Sequence, residues 1–190
     1  MAKLYFRYSA MNAGKSTSLV QVAFNYEERG MTVRIYTAAI DDRFDPGFVT
    51  SRLGARRPAR SFDESTDFFT ETETHERVAC LLVDEAQFLV PEQVRELHRV
   101  AHVLDIPVIA FGIRSDFRGE PFPGSAYLLT LADDIEEIKN ICACGRKATM
   151  NVRVDDQGRR ITSGEQIAIE GEHRYLQMCG SCFYNDVTNR

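Results

Sequence analysis

Two hydrophobic periods run through the first 140 residues of the chain. Leu4 to Tyr8 is apolar and aromatic and predicts a buried first strand. Leu19, Val22, Ala23 and Tyr26 then recur at helical spacing, and Gly30 is placed to end that helix. Thr32 to Thr37 is β-branched and predicts a second strand. Val78 to Val83 is a continuous apolar run, as a strand buried on both faces requires. Pro91 suits the first position of a helix whose inner face is Val94, Leu97, Ala101 and Leu104. Pro107 to Gly112 predicts another buried strand. A helix around Ser125 to Leu131 and a strand around Ile135 to Ile141 follow. Strands that alternate with helices predict an α/β domain with a mainly parallel sheet, ending near Asn140.

Three stretches do not fit that rhythm. Asp41 to Arg60 holds Asp45-Pro46-Gly47, Gly54, Pro58 and five arginines, and reads as a long, mobile surface loop. Asp63 to Glu76 is acidic and polar, as a solvated helix or loop would be. Residues 141–190 are short, punctuated by glycine and bracketed by cysteine pairs, which predicts a second, metal-organised unit.

Composition narrows the class. At 44% hydrophobic and 27% charged residues, the 190-residue chain reads as an ordinary soluble globule. A net charge of −5 argues against a dedicated nucleic-acid binder. The first residues lack the shape of a signal peptide, and no apolar run approaches a membrane span, so a cytoplasmic location is expected. In that reducing compartment, cysteines act as metal ligands or buried thiols. Cys80, inside an apolar strand, reads as a buried thiol.

The candidate chemistry begins at Ser9-Ala10-Met11-Asn12-Ala13-Gly14-Lys15-Ser16, between the first strand and the first helix. The phosphate-binding loop pattern is G-x-x-x-x-G-K-[ST]; here Ser9 stands at the first glycine. Gly14 lets backbone N–H groups turn toward phosphate oxygens. Lys15 would reach the β- and γ-phosphates, and Ser16 would ligate Mg²⁺. The helix adds its positive end beneath them. Asp84-Glu85 closes a buried strand, where such proteins hold Mg²⁺. Asp84 suits that role. Glu85 suits a base that takes a proton from an attacking hydroxyl. Water as attacker would make an ATPase, and a substrate alcohol a kinase; the acidic pair alone leaves both open.

Cys142-Ala-Cys144 and Cys179-Gly-Ser-Cys182 are separated by 34 residues. Four thiolates in two close pairs suit a closed, structural Zn²⁺ site, although the C-x-C pair is tighter than usual. A redox pair is the alternative reading. Asp155 to Arg159 looks like a hairpin tip inside the loop that the metal would anchor. From Asn140 to Arg190 there are 7 basic and 6 acidic residues, so this unit suits a lid better than a module that grips nucleic acid.

Taken together, YSAMNAGKST, TAAIDDRF, LLVDEAQF, FGIRSDFRGEPFPGS, the Cys142/Cys144 pair with GRKAT, and EGEHRY before Cys179 resemble the thymidine kinase family of the bacterial and cytosolic type. The resemblance covers nearly the whole chain. It implies a RecA-like P-loop domain at 1–140 and a zinc-binding lasso domain at 141–190. It implies transfer of the ATP γ-phosphate, with Mg²⁺, to the 5′-hydroxyl of thymidine or deoxyuridine, in pyrimidine deoxynucleotide salvage. It also implies a homotetramer inhibited by the end-product triphosphate. Carried over by position, Glu85 is the catalytic base. Ser9 to Ser16 forms the ATP loop, with Asp84, Glu85, Ala86 and Gln87 beside it. Met11, Phe88, Ile113 and Phe117 wall the base. Gln166, Ile167, Ala168, Ile169, Glu170 and Tyr175 form the lasso's contacts to the pyrimidine. Zinc falls to Cys142, Cys144, Cys179 and Cys182. Arg43 and Arg118 are candidates for steadying the transferring phosphate or for a structural role.

Overall fold

The computed structural model describes residues 1–40, 47–74, 78–167 and 174–188. The chain opens with β1 (Leu4–Tyr8), α1 (Lys15–Glu27) and β2 (Val33–Ala38). Three short strands follow: β3 (Phe48–Thr50), β4 (Arg56–Pro58) and β5 (Arg60–Phe62). Then come α2 (Phe68–Thr74), β6 (Cys80–Val83), a 3-10 turn at Ala86–Phe88, α3 (Pro91–Val103), β7 (Val108–Gly112), α4 (Pro123–Leu131) and β8 (Asp134–Glu137). The C-terminal part holds β9 (Met150–Val154), β10 (Arg160–Ile161), β11 (Arg174–Met178) and α5 (Gly180–Tyr184).

Six strands form one sheet in the order β5-β2-β6-β7-β1-β8, and every pairing in it is parallel. The interior strands are apolar because helices cover both faces. Leu4, Phe6, Leu81 and Val83 point to the α3–α4 face, packed with Val94, Leu97, Ala101 and Leu128. Cys80, Leu82, Ile109 and Phe111 point to the other face, against Leu19, Val20 and Ala23 of α1. α1 starts directly after Gly14, which sits in the left-handed region at φ 88°, and no side chain closes its first turn. α3 begins at Pro91; the Gln93 side chain accepts from the Val90 N–H at 3.1 Å. α4 presses hard on the 3-10 turn. A Cβ on Gly124 would lie 2.5 Å from the Leu89 carbonyl oxygen and 2.8 Å from that of Ala86, so only glycine fits.

The loop expected over Asp41 to Arg60 is partly ordered strand. Residues 41–46, including Arg43, lie outside the described residues. Beyond them β3 and β4 form an antiparallel pair, and Arg60 opens β5 at the sheet edge. Val49 is 2% exposed and packs with α1; Arg57 pairs with Glu27 at 3.0 Å. Strands of three residues rich in arginine, glycine and proline carry too little hydrophobic alternation to announce themselves. The last strand of the sheet also differs. It ends at Glu137, where its register against Tyr8 runs out, and Ile141 is 73% exposed.

The C-terminal part builds a three-stranded antiparallel sheet, β10-β9-β11, with Asp155 to Arg159 turning between β9 and β10. It has its own apolar cluster of Ala148, Val152, Val154, Met178 and Phe183 beside the four cysteines. No helix among the described residues is long and apolar enough to cross a membrane.

Candidate active site

The C-terminal ends of β1, β6 and β7 open into a cleft of about 1180 Å³. It is lined by the phosphate loop from Met11 to Ser16, by Glu85, Gln87 and Phe88, by Ile113, Phe117 and Phe122, and by Gln166, Ile167 and Tyr175. Ligands of open parallel sheets collect at this edge.

The loop's geometry follows from its residues. Asn12 and Gly14 both adopt positive φ, 63° and 88°, which curls the chain around the start of α1. Lys15 is 8% exposed; its Nζ donates to the Ser9 hydroxyl at 3.2 Å and to the Ala10 carbonyl at 3.4 Å. The Ser9 hydroxyl itself donates to the Ala10 carbonyl at 2.7 Å. Serine at the loop's entry therefore gives the lysine a resting partner that glycine lacks. The Ser16 hydroxyl donates to Asp84 Oδ2 at 2.9 Å, across 68 residues of sequence. Burial, and then the neighbouring charge of Glu85, push the Asp84 carboxyl up to about 7.

Glu85 sits at φ 52°, ψ 38°, a left-handed conformation that is costly for a residue with a Cβ. Its carboxylate accepts from Gln87 Nε2 at 2.5 Å. Gln87 is 2% exposed, and its Oε1 accepts from the Ile113 N–H at 3.2 Å. One buried amide thus ties the acid after β6 to the chain leaving β7. Across the cleft, Phe88 meets Phe122 edge-on at 5.9 Å, and Phe117 is 1% exposed.

Arg118 clamps Asp116 rather than standing free. Its Nε and Nη2 donate to Asp116 Oδ2 at 2.9 and 2.8 Å. Burial alone would raise the Asp116 carboxyl. Hydrogen bonds from the Arg118 side chain and from the N–H groups of Arg118 and Glu120 overcome that and hold it below its ordinary value. Gln166 reaches the same carboxylate at 3.3 Å. Ile167 lines the cleft, while Ala168, Ile169 and Glu170 lie outside the described residues.

The four cysteines Cys142, Cys144, Cys179 and Cys182 converge, with all sulfurs within 4.8 Å of one another. A tetrahedral zinc with bonds of ~2.3 Å would hold its sulfurs about 3.8 Å apart; Cys144 and Cys179 stand at 3.6 Å. Burial opposes ionisation of Cys142, yet N–H groups of Cys144 and Cys179 bring its thiol down to about 7. The Cys182 N–H lowers Cys179 likewise. Cys182 goes the other way, pushed up to about 12 by its bonds to the neighbouring thiols, Cys144 first. It is the convergence of four sulfurs that suits a metal of zinc's type. Cys80, by contrast, is pushed up to about 12 by burial and keeps its proton. A second group, His98, His102 and Asp133, lies at the opposite end of the sheet, where Asp133 accepts from the Leu4 N–H at 2.8 Å.

A family model described as thymidine kinase matches residues 2–183 of the chain. The chain belongs to the thymidine kinase family. Within that family it is 58% identical to the thymidine kinase of Chromobacterium violaceum over 98% of this chain and 100% of the relative. It is 54% identical to that of Albidiferax ferrireducens over 98% of this chain and 94% of the relative. The thymidine kinase of Shigella dysenteriae serotype 1 matches at 54% over 94% and 89%. Members are nucleoside kinases, so of the two acceptors that the acidic pair left open, the alcohol is favoured over water.

Some residues that shape this site carry no sequence motif. Gln87 was expected only as a neighbour of the ATP loop, not as the link between Glu85 and Ile113. Asn151 and Arg153 on β9 were not expected at all, although both are 3% exposed and both reach the cleft's walls. The alternation of polar and apolar residues over Asn151-Val152-Arg153-Val154 was the available signal.

Proposed function

We infer that the protein is a thymidine kinase that transfers the ATP γ-phosphate to the 5′-hydroxyl of thymidine, and also of deoxyuridine. The observation that carries this reading is one cleft of about 1180 Å³ shared by a phosphate loop, an acidic pair and aromatic walls. The N–H groups from Ser9 to Ser16 and the Lys15 ammonium take the triphosphate. Ser16 and Asp84 would hold Mg²⁺, whose charge offsets that of the phosphates. Glu85, oriented by Gln87, accepts the proton of the attacking 5′-hydroxyl as its oxygen bonds to the γ-phosphorus. The bond to the bridging oxygen breaks and ADP leaves with that electron pair. Met11, Phe88, Ile113 and Phe117 flank the flat pyrimidine. Gln166 to Glu170 and Tyr175 close over it and exclude water, which favours transfer over hydrolysis.

On this reading residues 1–140 bind nucleotide, and 141–190 form a lid whose base is fixed by a structural zinc on Cys142, Cys144, Cys179 and Cys182. Arg118 orders the Asp116 turn beneath the lid. Assembly as a homotetramer, inhibition by the end-product triphosphate and a cytoplasmic role in deoxynucleotide salvage complete the proposal. Neither nucleic acid nor membrane is a partner.

An ATP-coupled assay across the natural deoxynucleosides tests it. ADP should form with thymidine and deoxyuridine and not with purines. ADP release that no nucleoside stimulates would overturn the kinase reading.

A further inference from the structure

β9 alternates between two jobs. Val152 and Val154, both 0% exposed, face the apolar cluster of the zinc unit. Asn151 and Arg153 fall on the opposite side, as the two-residue period of a strand requires. Both are buried against the larger domain.

Asn151 Oδ1 accepts from the Met11 N–H at 2.8 Å, and its Nδ2 donates to the Ser115 carbonyl at 3.3 Å. Asn140 Nδ2 donates to the Met11 carbonyl at 3.0 Å. The backbone of the phosphate loop is therefore gripped on its N–H and its C=O by two asparagines that precede and follow the first cysteine pair. Arg153 turns to other partners. Its guanidinium lies 3.9 Å over the Phe117 ring; Nε donates to the Tyr175 hydroxyl at 2.9 Å, and Nη2 to the Gln166 carbonyl at 3.4 Å. A planar, permanently charged group can stack and donate in plane at once, which lysine cannot. One side chain thus joins three separate segments of the aromatic wall and of the lid's base.

We propose that β9 is a strut that sets both halves of the cleft: Asn151, with Asn140, positions the phosphate loop, and Arg153 positions the nucleoside wall. They are positioning residues for the kinase reading, on which this inference rests. The zinc unit, on this account, does more than anchor a lid; it aligns donor and acceptor through two neighbouring residues of one strand.

Crossed kinetics test the strut. Asn151→Leu and Asn140→Ala leave one polar atom of Met11 without its partner. They should raise the KM for ATP about tenfold and that for thymidine, which feels only the Met11 side chain, by several-fold less. Arg153→Met and Arg153→Lys should do the reverse, with Lys recovering little. Tyr175→Phe should follow Arg153→Met in direction. Zinc content and melting temperature are measured on each variant. If Asn151→Leu or Arg153→Met does not fold, Asn140→Ala and Arg153→Lys carry the two arms. Equal rises in both KM values, or no rise in either, would overturn the proposal. Wild-type protein inactive with thymidine would instead sink the kinase reading, and the two failures are distinguishable.

Discussion

The left-handed backbone at Glu85 makes an unusual forecast about side-chain removal. Glu85→Ala and Glu85→Gly both delete the carboxylate and its 2.5 Å bond from Gln87; they differ only by a Cβ at φ 52°. Elsewhere, glycine is the less stable of the two by about 0.5–1 kcal/mol, because its unfolded chain is freer. At φ 52° the Cβ meets the following carbonyl, which costs roughly 1–2 kcal/mol. The midpoints of the two ranges leave Gly more stable than Ala by about 0.75 kcal/mol, or roughly 1.5–3 °C in melting temperature for a chain of this size. Urea unfolding followed by circular dichroism reads the order directly. Alanine equal to or above glycine would refute the strain argument. Activity gives the second half. General-base assistance is worth about 10²–10⁴-fold, so both variants, and Glu85→Gln with them, should lose that much in kcat while still binding ATP. Near-wild-type turnover in any of the three would remove Glu85 from the proton transfer.

Other outcomes follow from burial and crowding. Cys182→Ser should lower metal content from about one zinc per chain to near zero and lower the melting temperature, because metal and fold are linked in such units; unchanged metal content would count against the quartet. Gly124→Ala drives a methyl to within 2.5 Å of the Leu89 carbonyl, so it should cost about 1–3 kcal/mol and, by shifting the turn that carries Gln87, lower kcat too. Burial first, and then its bond to Glu71, push the Tyr36 hydroxyl up from 10.0 to about 12. A raised pKa stabilises the fold fully below the unfolded value and fades as pH climbs through the folded one. A shift of that size corresponds to roughly 2–3 kcal/mol, lost as pH climbs from about 10 to about 12, and Tyr36→Phe should remove that part of the slope in unfolding measured at pH 9 and 11.5.

What the sequence made legible was whatever depends on local spacing. β1 spans Leu4–Tyr8 as its apolar run predicts, the helix after Gly14-Lys15-Ser16 forms, and the cysteine pairs meet. Contacts assembled by the fold were hidden. Ser16 and Asp84 were each expected beside the nucleotide, but their hydrogen bond depends on β7 separating β1 from β6 by the right width. Asn151 and Arg153 carry no motif, and the strand they sit on was not anticipated. Only the docking of β9 on the larger domain buries them. The strands between Phe48 and Phe62 went unseen because each is too short to show a period.

The open first turn of α1 has a thermodynamic consequence. Gly14 offers no side chain to its N–H groups, and the turn contains no acidic residue. A good cap is worth about 1 kcal/mol, and this helix starts without a side-chain cap. In the proposed binding mode a triphosphate would bring acceptor oxygens to that turn. Binding only the folded chain, it would transfer its own binding energy to the fold: about 2.7 kcal/mol at a hundred times Kd. The nucleotide would thus also act as the helix's cap, and the ATP level would help to set the stability of the enzyme that consumes it.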